Sequence, residues 1–389
     1  MKPANLFENH ALIKVMGAGG AGCNAVNRMI QEGVQGVHFV AMNTDAQALS
    51  TSLAPRKIKL GIASTRGLGA GGDPTVGAAA AKESEKAITA ELEDVDMVFI
   101  TAGMGGGTGT GTAPVVAEIA KRLGILTVAV VTKPFLFEGP KRRRLAEDGT
   151  KRLADLVDTL IVVPNDRLLT FVERRTTMQE AFAAADDVLR QGVQGISDII
   201  TMPGIINVDF ADVRTVMKNA GVALMGIGRG VGEQRARVAA QGAANSPLLE
   251  TSIGGAKRLL VNITAGPDFS LGEAHDAMEY LIQFADAEEA EIFMGHVLRD
   301  SPEGEVTITL LAAGLDPTAP RHQDREVFRQ PEAEPQVKAT PVFQIPDPEP
   351  QPEPEPVNSN PRIPAPIQID DPVELDIPSF LRRQKLGGS

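Results

Sequence analysis

From Leu12 to Val163, short apolar runs alternate with stretches whose apolar residues recur every three or four positions. The runs predict strands at 12–16, 37–42, 57–60, 95–101, 125–132 and 159–163, and the periodic stretches predict helices at 22–31, 75–92, 113–123 and 140–156. Strands that are apolar almost throughout are covered on both faces, so the alternation indicates an α/β fold on a doubly wound parallel sheet. A longer helix is predicted at 178–201, with Phe182, Ala185, Leu189, Val193 and Ile196 on one face, long enough to connect two domains. A second α/β unit follows from about Ala220 to Gly314, with strands at 222–228, 258–265, 290–298 and 304–314 and helices near 232–243 and 270–283.

Beyond Leu315 the pattern stops. Sixteen of the 27 prolines lie there, with a Pro-Glu alternation from Pro346 to Pro356, a composition that favours an extended acidic linker over a packed core. The last residues change character again: Val373, Leu375, Ile377, Phe380 and Leu381 surround Pro378 and are followed by Arg382, Arg383 and Lys385. An apolar and basic patch at the end of a tether reads as a peptide ligand for another protein.

The chemistry concentrates in glycine loops at the carboxyl ends of predicted strands, where ligands of doubly wound sheets bind. Gly103-Met104-Gly105-Gly106-Gly107-Thr108-Gly109-Thr110-Gly111-Thr112 joins the strand 95–101 to a helix that carries Pro114 at a plausible first-turn position. Unshielded N–H groups at a helix start suit an anion such as a phosphate, and Thr108, Thr110 and Thr112 can add hydroxyls or touch a metal. Upstream, Gly17-Ala18-Gly19-Gly20-Ala21-Gly22 follows a strand, opens a helix and has Asp45 about twenty residues on, which fits a dinucleotide fingerprint. Taken alone, that loop suggests a nicotinamide- or flavin-dependent oxidoreductase; the second loop is then unexplained. Asn43-Thr44-Asp45, Gly67 to Gly72, Lys133 to Gly139 and Asn165-Asp166 crowd the same sheet edge. No G-x-x-x-x-G-K-[ST] run occurs, and the five histidines are scattered without metal-ligand spacing, so neither a P-loop nor a protein-built metal cage is expected.

Composition narrows the class further. The 389 residues suffice for two cores, and the single cysteine, Cys23, rules out an internal disulfide and fits a reducing compartment. There is no signal-peptide pattern and no run of eighteen apolar residues, so no membrane insertion is expected. The net charge of −12 speaks against nucleic-acid binding. Ten acids against two bases between Gln330 and Asp376 account for most of it, leaving the folded part nearly neutral.

Together, the glycine loops resemble those of the tubulin/FtsZ family, the Gly103–Gly109 segment matching its specific signature; the likeness runs over about residues 10–316 and returns at Asp376–Gln384. The resemblance implies a tubulin-like, Rossmann-type GTPase domain, a long central helix, a second α/β domain and a disordered C-terminal tail. Its implied boundaries are a flexible N-terminus at 1–10, a GTP-binding domain at 11–177, a connecting helix at 178–203, a C-terminal domain at 204–316, a linker at 317–369 and a partner-binding peptide at 370–389. It implies GTP or GDP with Mg²⁺, and head-to-tail self-assembly in the cytoplasm, at the midcell division site under the inner membrane.

Residue by residue, Gly20, Ala21, Gly22, Cys23 and Asn24 match the first phosphate loop, Cys23 standing where many members have glycine. Asn43 belongs to the second loop, Ala70, Gly71 and Gly72 to the third, and Gly103, Met104, Gly105, Gly106, Gly107, Thr108 and Gly109 to the signature around the β- and γ-phosphates. Glu138 and Arg142 match contacts to the ribose and nearby phosphate. Asn165, Phe182, Asp186 and Asp187 match the guanine edge, Asp187 being the favoured base-holding acid. Asn207, Asp209 and Asp212 in the loop 204–212 match acids and an amide that act on the next subunit's GTP, although Asp209 and Asp212 would also suit capping of the helix that follows. The tail 373–385 matches the peptide that recruits membrane tethers of the FtsA and ZipA kind.

Overall fold

The structure is a computed structural model and describes residues 11–169, 175–202, 204–249, 251–299 and 304–315. The expected N-terminal segment 1–10, linker 317–369 and peptide 370–389 lie outside the described residues.

Strands β1 (Ile13–Ala18), β2 (His38–Asn43), β3 (Arg56–Lys59), β4 (Met97–Gly103), β5 (Leu126–Lys133) and β6 (Thr159–Pro164) are all parallel, in the order β3-β2-β1-β4-β5-β6. This is the doubly wound order, with the crevice outside the carboxyl ends where the order reverses at β1 and β4. The strand pleat sends neighbouring residues to opposite cores. Val15, Phe39 and Phe99 pack under the helix Gly19–Gln31 and the central helix Met178–Thr201. Met16, Val40 and Ile100 pack under the helices Pro74–Glu83, Glu85–Leu92, Thr108–Leu123 and Pro140–Ala154.

The remaining strands are β7 (Gly204–Ile206), β8 (Gly221–Gly230), β9 (Arg258–Ala265), β10 (Glu291–Leu298) and β11 (Val306–Ala313). They continue the sheet as β6-β8-β11-β9-β10-β7. The junction is short and parallel, with Thr159 opposite Gly221 and Ile161 opposite Ala223. A third core forms where Leu259, Val261 and Ile263 meet the helices Arg235–Ala244 and Leu271–Ile282.

Two local expectations change, and one short strand goes unforeseen. The single helix expected at 75–92 is two helices that meet at Ser84, whose hydroxyl accepts the Gly61 N–H at 3.0 Å while Glu83 accepts the N–H groups of Ala63 and Ser64. Those tertiary bonds hold the chain out of helical register. The helix expected from 113 begins at Thr108, so Pro114 lies inside it and not in its first turn. Low helix propensity hides this start, yet the glycines serve packing: a Cβ on Gly111 would come within 2.2 Å of the Pro74 carbonyl oxygen. Finally, β7 is a three-residue edge strand, too short to leave a pattern.

Glycine packing recurs in β8, where a Cβ on Gly228 would stand 1.9 Å from the Ala239 carbonyl oxygen of the helix Arg235–Ala244. Gly228→Ala should therefore lower stability by about 1–3 kcal/mol, read from denaturant unfolding, by pushing that helix off the sheet. An unchanged midpoint would show that the helix yields without cost.

Candidate functional site

A cavity of about 450 Å³ opens where β1, β4, β5 and β6 end, in the size range of small-molecule sites. Two helices begin there, Gly19–Gln31 and Thr108–Leu123, and neither has a side chain capping its first turn. Their leading N–H groups thus face the cavity unpaired by side chains, with the positive ends of both helix dipoles behind them. Ala18, Gly20, Ala21 and Asn24 line one wall, and Gly103, Met104, Gly106, Gly107, Thr108 and Gly109 the other. A Cβ on Gly20 or Gly106 would meet nothing within 4 Å: the backbone lies bare toward open space. That is a cradle for a phosphate chain.

The other end is shaped for a flat, polar ring. Phe182 stands at the rim, 40 % exposed, with Phe135 and Phe137 meeting it edge-on at centroid distances of 5.4 and 6.5 Å. Asn165 is only 5 % exposed, and its Oδ1 has no hydrogen-bond partner among the described residues. A buried amide oxygen left unpaired in a cavity wall fits a ligand N–H. Asp186 faces the cavity as well, and burial pushes its carboxyl up to about 7 against the opposing charge of Arg28. Glu138 and Arg142 form an ion pair one helical turn apart at the side of the cavity, where Glu138 also accepts the Phe135 N–H. Pro134 of the expected loop 133–139, Ala185 and Thr132 complete the lining; Thr132 was passed over by sequence reasoning, its one signal being its place at the end of β5.

Other expected residues stand behind this lining. Gly22 packs against β4, where a Cβ would meet the Thr101 carbonyl oxygen at 2.3 Å. Cys23 is buried beside the carbonyls of Gly17 and Met42, and burial pushes its thiol up to about 11. Asn43 accepts the Asp45 N–H and shapes the turn after β2. Ala70 backs the signature loop, and a Cβ on Gly107 would come within 2.9 Å of its own; Gly71 and Gly72 continue that segment, and Gly105 turns the signature loop with φ of 98°.

The preference for Asp187 over Asp186 does not match the geometry. Asp187 lies one residue, about 100°, further round the helix and turns to Arg190 at 2.7 Å and Arg28 at 3.7 Å. Burial would raise its carboxyl, but hydrogen bonds from Arg190 and Gln191, with the charges of Arg190 and Arg28, hold it below the usual range. Asp186 is the acid in the cavity wall. Of the three signature threonines only Thr108 lines the cavity; Thr110 is buried and accepts the Gly105 N–H at 2.8 Å, and Thr112 is buried. Asp45, which the dinucleotide reading needs at a ribose, caps the helix Ala46–Ser50 by accepting the N–H groups of Gln47 and Ala48.

Asn207, Asp209 and Asp212 are nowhere in the lining. They follow β7, past the far end of the central helix, while Phe182 and Asp186 sit near its start. The fifteen helical rises from Asp186 to Thr201 span roughly 22 Å. The helix Phe210–Met217 meets the opposite, amino end of β6, where the Thr159 hydroxyl donates to the Met217 carbonyl. Asp209 does cap that helix, accepting the Asp212 N–H at 2.8 Å, and Asn207 accepts the Gly204 N–H at 2.8 Å. The Asp212 carboxylate makes no hydrogen bond or ion pair among the described residues.

No group of three or more His, Cys, Asp or Glu among the described residues could cage a metal.

Known proteins share this architecture. The family model for the Tubulin/FtsZ family, GTPase domain, matches residues 12–173, and that for the FtsZ family, C-terminal domain, matches 221–316. An empty FtsZ dimer from M. jannaschii is 46 % identical, with a TM-score of 0.76 over 79 % of this chain and 90 % of that one. CetZ2 from Haloferax volcanii, in a GTPγS-bound protofilament, shares the fold at 21 % identity and a TM-score of 0.68, over 79 % of this chain and 94 % of that one. Both halves of the described chain thus match one family, and a relative of nearly half its sequence aligns over most of its own length: the chain belongs to the tubulin/FtsZ family of GTPases.

Proposed function

We propose that this chain assembles head to tail into filaments and hydrolyses GTP where two copies meet, with Asp209 and Asp212 of one copy acting on the nucleotide held by the next. The observation that carries this reading is the separation within one chain of an anion cradle from a carboxylate pair at the opposite end of the central helix. Such a contact joins two different surfaces and need not close, so it propagates as a filament. That the FtsZ structure from M. jannaschii is a dimer accords with it.

In this reading the glycine loops and helix starts hold the phosphates. Phe182 stacks on guanine, Asp186 accepts its N1 and N2 hydrogens, and Asn165 takes part in the same edge. Bound Mg²⁺ supplies charge neutralisation on the phosphates. Water attacks the γ-phosphorus in line, the bond to the β–γ bridging oxygen breaks, and GDP leaves with inorganic phosphate. Asp209 and Asp212 of the neighbouring copy polarise and position the water, while Asn207 holds the loop that presents them. Positioning and charge are most of what phosphoryl transfer asks of a protein, so a carboxylate arriving with the partner can switch turnover on. The family resemblance extends the proposal to a filament at the division site, with the tail 373–385 docking on FtsA- or ZipA-like membrane tethers.

Turnover per molecule should be negligible at low protein concentration and rise above a threshold shared with sedimentation. A rate independent of concentration in folded protein would overturn the shared site. Asp212→Ala is the cleaner single variant, because Asp209→Ala also removes a helix cap. It should bind GTP as the wild type does and lose turnover by two orders of magnitude or more, roughly the effect of removing a transition-state contact; preserved turnover would remove Asp212 from the mechanism.

The raised Asp186 carboxyl gives a pH test. Guanine needs the ionised acid, so GDP affinity should climb as pH rises from about 5.5 to about 7 and level off above, while Asp186→Asn should be flat. Without nucleotide the sign reverses: the stability that the raised carboxyl contributes is full below its unfolded value and is lost as pH rises through about 7. Equal pH profiles for the two proteins would take Asp186 out of base recognition.

A further inference from the structure

Thr44, at the loop end of β2, is fully buried, 0 % exposed. Its carbonyl accepts the Gly69 N–H at 3.2 Å and the Thr65 hydroxyl at 3.4 Å, which fixes the residue in place. Its own Oγ1 lies 2.6 Å from Oγ1 of Thr108, sixty-four residues away, and among the described residues that is the only side-chain bond it makes. Thr108 is the first residue of its helix and faces the cavity. Each hydroxyl carries one proton, so the pair can run in two directions. If Thr108 donated to Thr44, the buried Thr44 proton would lack an acceptor, and Thr108 would turn only lone pairs toward an anion. If Thr44 donates, its proton is satisfied and the Thr108 proton is free to point into the cavity. With an anionic ligand present, the second arrangement wins, and each bond polarises the next.

We propose that Thr44 is a positioning residue: it donates to Thr108 and so aims the Thr108 hydroxyl proton at a phosphate oxygen of the bound nucleotide. The inference rests on the nucleotide reading above and assigns a role to a residue that does not itself line the cavity. Because the acceptor is a phosphate and not a metal, the effect of Thr44 is independent of Mg²⁺. The link also ties the loop after β2 to the signature loop, so ligand binding tightens the two together.

The test is binding of N-methylanthraniloyl-GDP to the full chain, in EDTA and in Mg²⁺. Thr44→Val, close in shape to threonine, should weaken binding about tenfold in both, as expected for losing the alignment of a hydrogen bond to a charged group. Thr44→Ala should match it, so that poor folding of either variant can be recognised. Thr44→Ser should restore affinity, and in a Thr108→Ala background Thr44→Val should cost nothing more. The proposal is overturned by wild-type affinity in both Thr44→Val and Thr44→Ala, by no rescue with serine, or by an undiminished loss in the Thr108→Ala background. A loss confined to Mg²⁺ also overturns it, since Thr108 would then turn its oxygen to the metal. If the wild-type chain itself bound no GDP, the nucleotide site would fall, and this inference with it.

Discussion

Two helices start at one sheet edge with no side chain to cap them, and the rest of the site is organised around that fact. Helix starts often recruit a Ser, Thr, Asp or Asn oxygen for their leading N–H groups, and this chain does so at Asp45, Asp73, Thr177, Asp209 and Ser270, though not at Gly61, Ser84, Gly139, Pro164 or Gln234. Withholding the cap at Ala18 and Gly107 leaves donors that an anion can satisfy, in a cavity whose floor is bare backbone at Gly20 and Gly106. A glycine floor costs helix propensity, and the parallel sheet beneath offsets that cost by packing β1 and β4 on both faces.

The central helix turns this local arrangement into a division of labour. Its first turns carry Phe182 and Asp186 to the cavity, while its capping box at Thr177 and Glu180 fixes where it begins. Its length places the loop of Asn207, Asp209 and Asp212 beyond reach of that cavity. Along one side Asp187 meets Arg28 and Arg190, and Asp198 meets Arg299 of the second α/β unit at 3.2 Å. These buried and half-buried pairs resist being broken singly, since a lone charge would be left without a partner. The pairs with Arg28 and Arg299 tie the helix to the helix Gly19–Gln31 and to the end of β10, whereas Arg190 lies on the central helix itself.

Much of this was legible in the residues. Apolar runs without alternation identified the parallel strands, and glycines at strand ends identified the loops, because both follow from local geometry. The signature Gly103–Gly109 indicated a phosphate cradle through spacing alone. The break at Ser84 was not legible: it depends on N–H groups of residues 61–64 that sequence distance hides. Nor was the early helix start at Thr108, since five glycines argue against a helix until the neighbouring backbone of Pro74 is in place.

By itself, the sequence determined the layer order, the position of the glycine loops and the neutrality of the folded part, since periodicity, backbone freedom and charge are properties of the chain. Tertiary structure decided which member of each near-equivalent set faces the ligand. Asp186 and Asp187 are chemically the same, and only the rotation of the central helix against the helix Gly19–Gln31 turns one to the cavity and the other to Arg28 and Arg190. Thr108, Thr110 and Thr112 differ in the same way. The contact of Thr44 with Thr108 joins β2 to a helix start across sixty-four residues. A side chain's direction is set by what its element packs against, and that information is spread over the whole fold.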